Sequence, residues 1–365
     1  MNLKIALQQR VLPSYRVPFL DALAAACGGG LGVFAGQPRA EEMIESGAAP
    51  KIARLFLVQN RHLFRGSLYL CWQGGFQRFL EEWQPEALIV EANPRYLATP
   101  AAVRWMHTRQ RPVIGWGLGA APLNGGWPAG LRREVRRSFL HSFDALVAYS
   151  KQGAAAYAAQ GFARERIFVA PNAVAPRPPQ AAPVRPLASS SAPATVLFVG
   201  RLQERKRIDL LLRACAALPE YSQPCLWIVG DGPARAGLED LAHTVYPRTE
   251  FWGACFGPEL DVRFLQADLF VLPGTGGLAV QQAMSQALPV IVAEADGTQA
   301  DLVRPGNGWR VPPGSLEALT NALTLALSDL PRLRRMGQES FRIVSEEINL
   351  ETMVAGFLKA VEAVV

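Results

Sequence analysis

Histidine, cysteine and metal-binding patterns are scarce in this 365-residue chain, and each shortage removes a class of function. The four histidines, His62, His107, His141 and His243, are scattered over predicted helices and loops. None stands at the carboxyl end of a predicted strand with a carboxylate in its motif, so they read as structural. The five cysteines, Cys27, Cys71, Cys215, Cys225 and Cys255, are odd in number and lack C-x-x-C spacing, which indicates neither a disulfide framework nor a zinc cluster. No Ser-His-Asp order, H-E-x-x-H or D-x-D pattern is present, so triad hydrolysis and metal-dependent group transfer lack support. The glycine run at 115–119 is G-x-G-x-G, without the final glycine of the fingerprint and followed by Pro122, which rejects a dinucleotide fingerprint. No segment has the length and freedom from charge needed to span a bilayer, and MNLKIALQQR lacks a signal peptide's apolar run; a cytoplasmic protein is expected.

What the chain does have is hydrophobic mass and an uneven charge. Half of its residues are hydrophobic, enough for two domains that each bury a core. Residues 1–180 hold 21 Lys/Arg against 11 Asp/Glu, a balance of +10, whereas residues 181–365 hold 16 against 20, a balance of −4. Only the first half is basic, as a surface facing an anionic membrane would be. The densest cluster, residues 131–143, sets Leu131, Val135, Phe139 and Ser142 near one helical face with Arg132, Arg133, Arg136 and Arg137 on its flanks. An interfacial helix has this pattern, and so has a solvated helix packed on a sheet. No nucleic-acid motif accompanies the charge, and no nucleic-acid partner is expected.

Residues 175–194, rich in Pro, Ala and Ser, read as a linker. Before it, predicted strands at 3–7, 31–35, 86–91, 112–116, 144–149 and 166–170 alternate with helices near 17–27, 72–83, 98–109, 129–141 and 150–160. After it, strands near 195–199, 225–229, 249–253, 268–272 and 289–292 are each followed by a helix, and helices at 331–347 and 350–364 close the chain. Such alternation argues α/β domains, each a parallel sheet wound on both faces. The expected division is a first domain at 1–174, the linker at 175–194, a second domain at 195–347 and a final helical segment at 348–365.

The richest segment is VLFVGRLQERKRID, residues 196–209. A buried strand runs into Gly200, where the backbone can turn without a Cβ clash, and the chain then delivers Arg201 and Lys206 beside a helix predicted from about Glu204. Two cations beside open helical N–H groups suit a diphosphate, each charge-assisted bond contributing roughly 1.5–3 kcal/mol. In the first half, LPSYRVPF at 12–19 puts Tyr15 and Arg16 at the end of the first strand, where open α/β sheets bind ligands. Arg16 is either a phosphate or acceptor contact or a surface arginine at a helix start. EANPRY at 91–96 and GWGLG at 115–119, with Trp116 and Gly117, end strands on the same edge.

The second half resembles the donor domain of family 4 glycosyltransferases, retaining enzymes of GT-B fold. The resemblance rests on Gly200, Arg201, Leu202 and Lys206, on IVGDGPARAGL at 228–238, FWG at 251–253, ADLFVLP at 267–273, GGLAVQQAM at 276–284, LPVIV at 288–292 and VRPGNGWRVPPG at 303–314. It implies two Rossmann-like domains facing each other across a cleft, the last helix returning to the first domain, and a nucleotide sugar held by Gly200, Arg201, Lys206, Gly253, Gly274, Gly276, Gly277, Leu278 and Gln282. Tyr15, Arg16, Trp116, Gly117 and Asn172 fall at the acceptor or cleft positions, although Asn172 also suits an Asx turn before Pro176. The family's two glutamates, seven residues apart, are replaced by Gly274 and Gln282, and its frequent histidine by Gly117.

The expected function is transfer of a sugar from a nucleotide-diphosphate sugar to a glycan or lipid-linked acceptor, in surface polysaccharide synthesis. Arg201 and Lys206 are the expected catalytic cations, and no metal or other cofactor is expected. The basic 131–143 segment would bring the protein to the inner face of the membrane. Two other readings remain: a catalytically silent relative that binds a nucleotide or scaffolds an assembly, and a sugar-nucleotide epimerase, for which acid and base side chains are not evident.

Overall fold

The computed structural model describes residues 2–39, 42, 44, 46–119, 129–184 and 193–365, so part of the predicted linker lies outside the described residues. The chain divides into two compact units, one of residues 1–176 with 350–365 and one of residues 177–349.

In the first unit, strands β1 (Ile5–Val11), β2 (Leu31–Gly36) and β3 (Arg54–Val58) are followed by a small antiparallel hairpin, β4 (Asn60–Leu63) with β5 (Leu70–Gln73). The sheet continues with β6 (Ala87–Glu91), β7 (Val113–Gly117), β8 (Ala145–Ala148) and β9 (Ile167–Val169). Strand order is β3-β2-β1-β6-β7-β8-β9, with every neighbouring pair parallel. The order reverses between β1 and β6, which opens a crevice outside their carboxyl ends. The helices are α1 (Val17–Ala26), α2 (Phe76–Trp83), α3 (Thr99–His107), α4 (Ala129–Leu140) and α5 (Lys151–Ala158). Helix α13 (Leu350–Glu362) joins α1 on one face, where Met353, Phe357 and Val361 meet Phe19, Leu20 and Leu23. The other face is closed by Phe76, Phe79, Met106, Leu140 and Tyr157. Side-chain alternation with period two explains this division: Ala87 and Ile89 of β6 face α1 and α13, whereas Leu88 and Val90 face the opposite layer.

Two expectations for this unit are corrected. The helix predicted over 72–83 starts at Phe76, because Leu70–Gln73 pairs in the hairpin and Gly75, at φ 79°, turns the chain into the helix. Strand β3 and the hairpin fill a stretch in which no element is predicted from the sequence. The predicted helix over 129–141 is α4; its Val135 is exposed, and Phe139 packs against the core.

The second unit has β10 (Thr195–Val199), β11 (Cys225–Val229), β12 (Thr249–Gly253), β13 (Leu269–Leu272), β14 (Val290–Ala293) and β15 (Gly308–Val311), all parallel in the order β12-β11-β10-β13-β14-β15. Its switch point lies between β10 and β13. Helices α6 (Ile208–Ala216), α7 (Arg235–Val245), α8 (Gly257–Gln266), α9 (Leu278–Ser285), α10 (Gln299–Leu302), α11 (Leu316–Leu327) and α12 (Leu330–Glu346) cover the two faces around one core. Strand β15 is absent from the sequence-based expectation, since GWRV is short and flanked by glycine and proline. Asp268, buried just before β13, accepts from the Thr195 amide and pairs with Arg334 of α12, tying the switch-point strands to the outer layer.

Candidate active site

In the second unit the predicted phosphate residues gather at the switch point. The chain leaves β10 through Gly200, whose amide donates to the Val229 carbonyl at 3.0 Å, while the Leu202 amide donates to the Asp231 carbonyl at 2.9 Å. Gly230 lies at φ 138°, and a Cβ there would collide with the Gly200 carbonyl; the loops after β10 and β11 interlock only because this residue is glycine. Gly253 closes the row, its carbonyl accepting from the Gly230 amide at 2.6 Å.

The helix expected from Glu204 is interrupted. Residues Glu204–Lys206 form a single 3-10 turn, Arg207 takes a left-handed conformation at φ 53°, and α6 begins at Ile208. Lys206 therefore does not sit in the first turn of an α-helix. Its Nζ instead donates to the Thr275 carbonyl at 2.7 Å, and the Thr275 amide donates back to the Arg205 carbonyl at 3.1 Å. These bonds tie the loop after β10 to the loop after β13. Arg205 reinforces them by donating from Nη1 to the Thr275 hydroxyl at 3.2 Å. Burial, with Arg205 alongside, lowers the pKa of Lys206 to about 8. Arg201 is exposed at the rim.

Gly274 explains the missing glutamate. A Cβ at this position would overlap the Arg205 carbonyl and the backbone of Lys206, so no side chain fits while the two loops lie together. Gly276 and Gly277 lead into α9, whose N-cap residue Gly277 offers no side-chain cap, so the first N–H groups of the helix are available to an anion. Leu278 and Gln282, four residues apart and so on one helical face, are both partly exposed, while Val280, Gln281, Ala283 and Met284 are buried.

In the first unit, Glu91 ends β6 at the switch point and accepts a hydrogen bond from the Arg10 amide at 2.5 Å. By register it lies opposite Trp116 of β7, whose neighbour on β8 is Val147, and Tyr149 follows two residues further along. Burial pushes the Glu91 carboxyl up to about 7, against the pull of Arg10 and Arg16. Trp116 is fully buried, with no hydrogen-bond partner for Nε1, and packs edge-on against Tyr149 and Phe357. Gly117 borders the same cavity as Glu91 and Trp116, and a Cβ there would come within 3.1 Å of the Tyr157 hydroxyl.

Arg16 and Asn172 are brought together, but inside the protein. Arg16 is only 3% exposed, donates to Asn172 Oδ1 at 2.8 Å and to Met353 Sδ at 3.7 Å, and lies among Tyr15, Phe19, Trp116 and Tyr149. The surface-arginine reading gives way to a buried arginine that bonds Asn172, in the segment after β9, and Met353 of α13. Tyr15 remains half-exposed above it. Glu91, Arg205 and Thr275 are site residues that the sequence reading misses. EANPRY is recognisable as a strand end, yet the adjacency of that strand to β1, which makes Glu91 a switch-point residue, is a fact of topology.

Two family models match: glycosyl transferases group 1 over residues 184–342 and a glycosyl transferase 4-like domain over residues 21–173. This chain is a family 4-like glycosyltransferase. Among curated relatives, the sulfoquinovosyl transferase SQD2 of Arabidopsis thaliana is 35% identical over 141 residues, which are 37% of this chain and 26% of that protein. The chain thus matches about a quarter of that relative's length. The fold is GT-B: the apo lipopolysaccharide outer core galactosyltransferase WaaB superposes with a TM-score of 0.73 over 100% of both chains at 16% identity. Anabaena HepE in complex with UDP gives 0.71, also over 100% of both chains, at 17% identity.

Proposed function

We propose that this glycosyltransferase takes a sugar from a nucleoside-diphosphate sugar and transfers it, with retention and without a metal, to a glycan or lipid-linked acceptor of surface polysaccharide synthesis. The observation that carries the reading is the Lys206–Thr275 tie at the second unit's switch point, which holds an ammonium, with Arg205 alongside, next to the glycines that lead into α9. Breaking the sugar–phosphate bond puts negative charge on the leaving diphosphate. Cations and helix N–H groups already in position stabilise that charge more in the transition state than in the ground state. Removing one such donor typically raises a barrier by about 2.7–4 kcal/mol. In this reading Gln282 reaches a hydroxyl of the donor, while position 274 contributes backbone alone. The leaving phosphate takes the acceptor's proton.

The same geometry weighs against a silent relative. Gly274 is held in close packing with Arg205 and Lys206, as in a loop built around glycine and unlike a site that has simply lost a carboxylate. The similarity to HepE, which binds UDP, supports a nucleoside diphosphate as ligand class. The similarity to WaaB, a lipopolysaccharide outer core galactosyltransferase, supports a polysaccharide context.

A membrane-bound acceptor would bring the protein to an anionic cytoplasmic surface. Arg133, Arg136 and Arg137 on α4 supply charge for this. So does the segment 46–80, which contains Lys51, Arg54, Arg61, Arg65 and Arg78 and no acidic residue, and which exposes Ile52, Leu57, Phe64, Leu68 and Trp72. Cations around exposed apolar side chains suit the interface of an anionic bilayer. Among the described residues no helix is long and apolar enough to cross a membrane. The reading as a whole is tested by screening nucleotide sugars for binding and turnover.

A further inference from the structure

The turn Glu204–Lys206 and the loop after β13 both belong to the second unit, and Arg205 is the cation there to which the donor reading gives no ligand group of its own. Its guanidinium is held from two sides. Nε donates to Gln203 Oε1 at 2.9 Å, and Nη1 donates to the Thr275 hydroxyl at 3.2 Å. Both partners are neutral. A guanidinium carries five N–H donors in a planar fork, so Nη2 and the remaining hydrogen of Nη1 have no acceptor among the described residues.

Arg205 has no carboxylate partner among the described residues either. Of the acidic residues in the neighbouring loops, Asp209 pairs with Arg207 at 3.0 Å, Asp231 with Arg235 at 3.4 Å and Glu294 with Arg310 at 3.4 Å, while Asp296 accepts from the Thr298 hydroxyl at 2.6 Å. Glu204, next to Arg205 in the chain, is exposed and makes no ion pair with it among the described residues. Thr275 therefore holds two cations, Lys206 by its carbonyl at 2.7 Å and Arg205 by its hydroxyl. The charged group that acts on Lys206 is Arg205, and the two repel each other.

We propose that Arg205 selects the donor sugar and that this sugar is a hexuronic acid, whose carboxylate accepts from Nη2 and the remaining Nη1 hydrogen. The assignment rests on the donor reading given above, in which position 274 lies beside the sugar, and adds to it the class of sugar and the residue that reads it. Gly274 reverses the hydrogen-bond sense of the loop. A carboxylate there could only accept, and packing against the Arg205 carbonyl and the Lys206 backbone excludes it. The side chain fixed at the next residue can only donate. Hydroxyl groups satisfy donors and acceptors alike, whereas a carboxylate matches the donor fork and supplies the missing charge. The diphosphate then answers Lys206, and a second anion answers Arg205.

The test is calorimetry of the full chain with three matched pairs: UDP-glucuronate and UDP-glucose, UDP-galacturonate and UDP-galactose, and GDP-mannuronate and GDP-mannose. UDP and GDP alone are the references, and the ratio of affinities within each pair is the quantity read. For at least one pair the wild type should favour the uronate about tenfold or more, with the ratio falling to near one in Arg205→Gln. Thr275→Val keeps the charge and removes the hydroxyl that orients it, so its ratio should lie between the two; thermal melts check the fold of both variants. Wild-type ratios near one for all three pairs, with UDP or GDP bound, overturn the uronate and leave the donor reading standing. A preference that survives in folded Arg205→Gln overturns the role of Arg205. Absence of binding by every nucleotide and nucleotide sugar removes the donor reading and the uronate with it. The wild-type ratios decide the sugar class even if neither variant folds.

Discussion

Gly274 leaves no room for the carboxylate that usually holds the donor sugar in this family, because any Cβ there meets the backbone of Arg205 and Lys206. Restoring the family residue should therefore damage the site. Gly274→Glu is expected to separate the two loops, lower the melting temperature and weaken UDP or GDP binding at least tenfold, as read by differential scanning fluorimetry and calorimetry. Unchanged binding together with faster turnover would show that the packing at this glycine does not matter. Lys206 gives a pH signature. Its pKa is lowered to about 8 in the unliganded protein, so its charge is present below that pH and lost above it. A bound diphosphate favours the charged form, so nucleotide affinity should fall above pH 8, by at most about tenfold per pH unit. In the unliganded protein the sign is opposite. The unfolded chain binds this proton more tightly, so folding stability linked to Lys206 rises between pH 8 and the ordinary value of 10.5. Calorimetry from pH 7 to 9.5 reads the first effect, and a flat affinity would remove Lys206 from the phosphate site.

Elements are legible in the sequence where periodicity and length agree. Strands such as β10 and β13 are runs of mostly buried apolar residues, and their carboxyl ends carry the motifs of the proposed donor site. The failures have physical causes. Arg207 at φ 53° splits a helix that residue types alone would start at Glu204, since a left-handed arginine has no sequence signature. The β4–β5 hairpin is stabilised by cross-strand pairing of Arg61 with Trp72 and of His62 with Cys71, a nonlocal effect that periodicity does not reveal, and it displaces the predicted start of α2. That same hairpin carries an element-scale prediction. Full-length protein should float with vesicles of 70% phosphatidylcholine and 30% phosphatidylglycerol more than with phosphatidylcholine alone. Phe64→Ser with Leu68→Ser should reduce flotation several-fold, while charge reversal at Arg133 and Arg137 reports on α4. Equal flotation of all variants with both vesicle types would remove the bilayer contact.

At the scale of the molecule, two units repeat one device. Each is a parallel sheet whose order reverses beside its first strand, and each gathers its candidate ligand groups at that reversal: Glu91 at the end of β6 in one, and Lys206 with the start of α9 in the other. The order of motifs in the second half is enough to recognise the family and the fold, and it points to the proposed donor site. The cavity at Glu91 is not legible, because its residues come from four separated segments, at 91–96, 116–119, 136–140 and 149–157, that only the sheet brings together. The central claim is that the second unit grips a nucleoside diphosphate through Arg201 and Lys206. Calorimetry of UDP and GDP against wild type, Arg201→Ala and Lys206→Ala tests it most directly. The account predicts binding of at least one nucleotide by the wild type and at least a tenfold loss in each variant, with unchanged melting temperatures. Equal binding by all three proteins would contradict it.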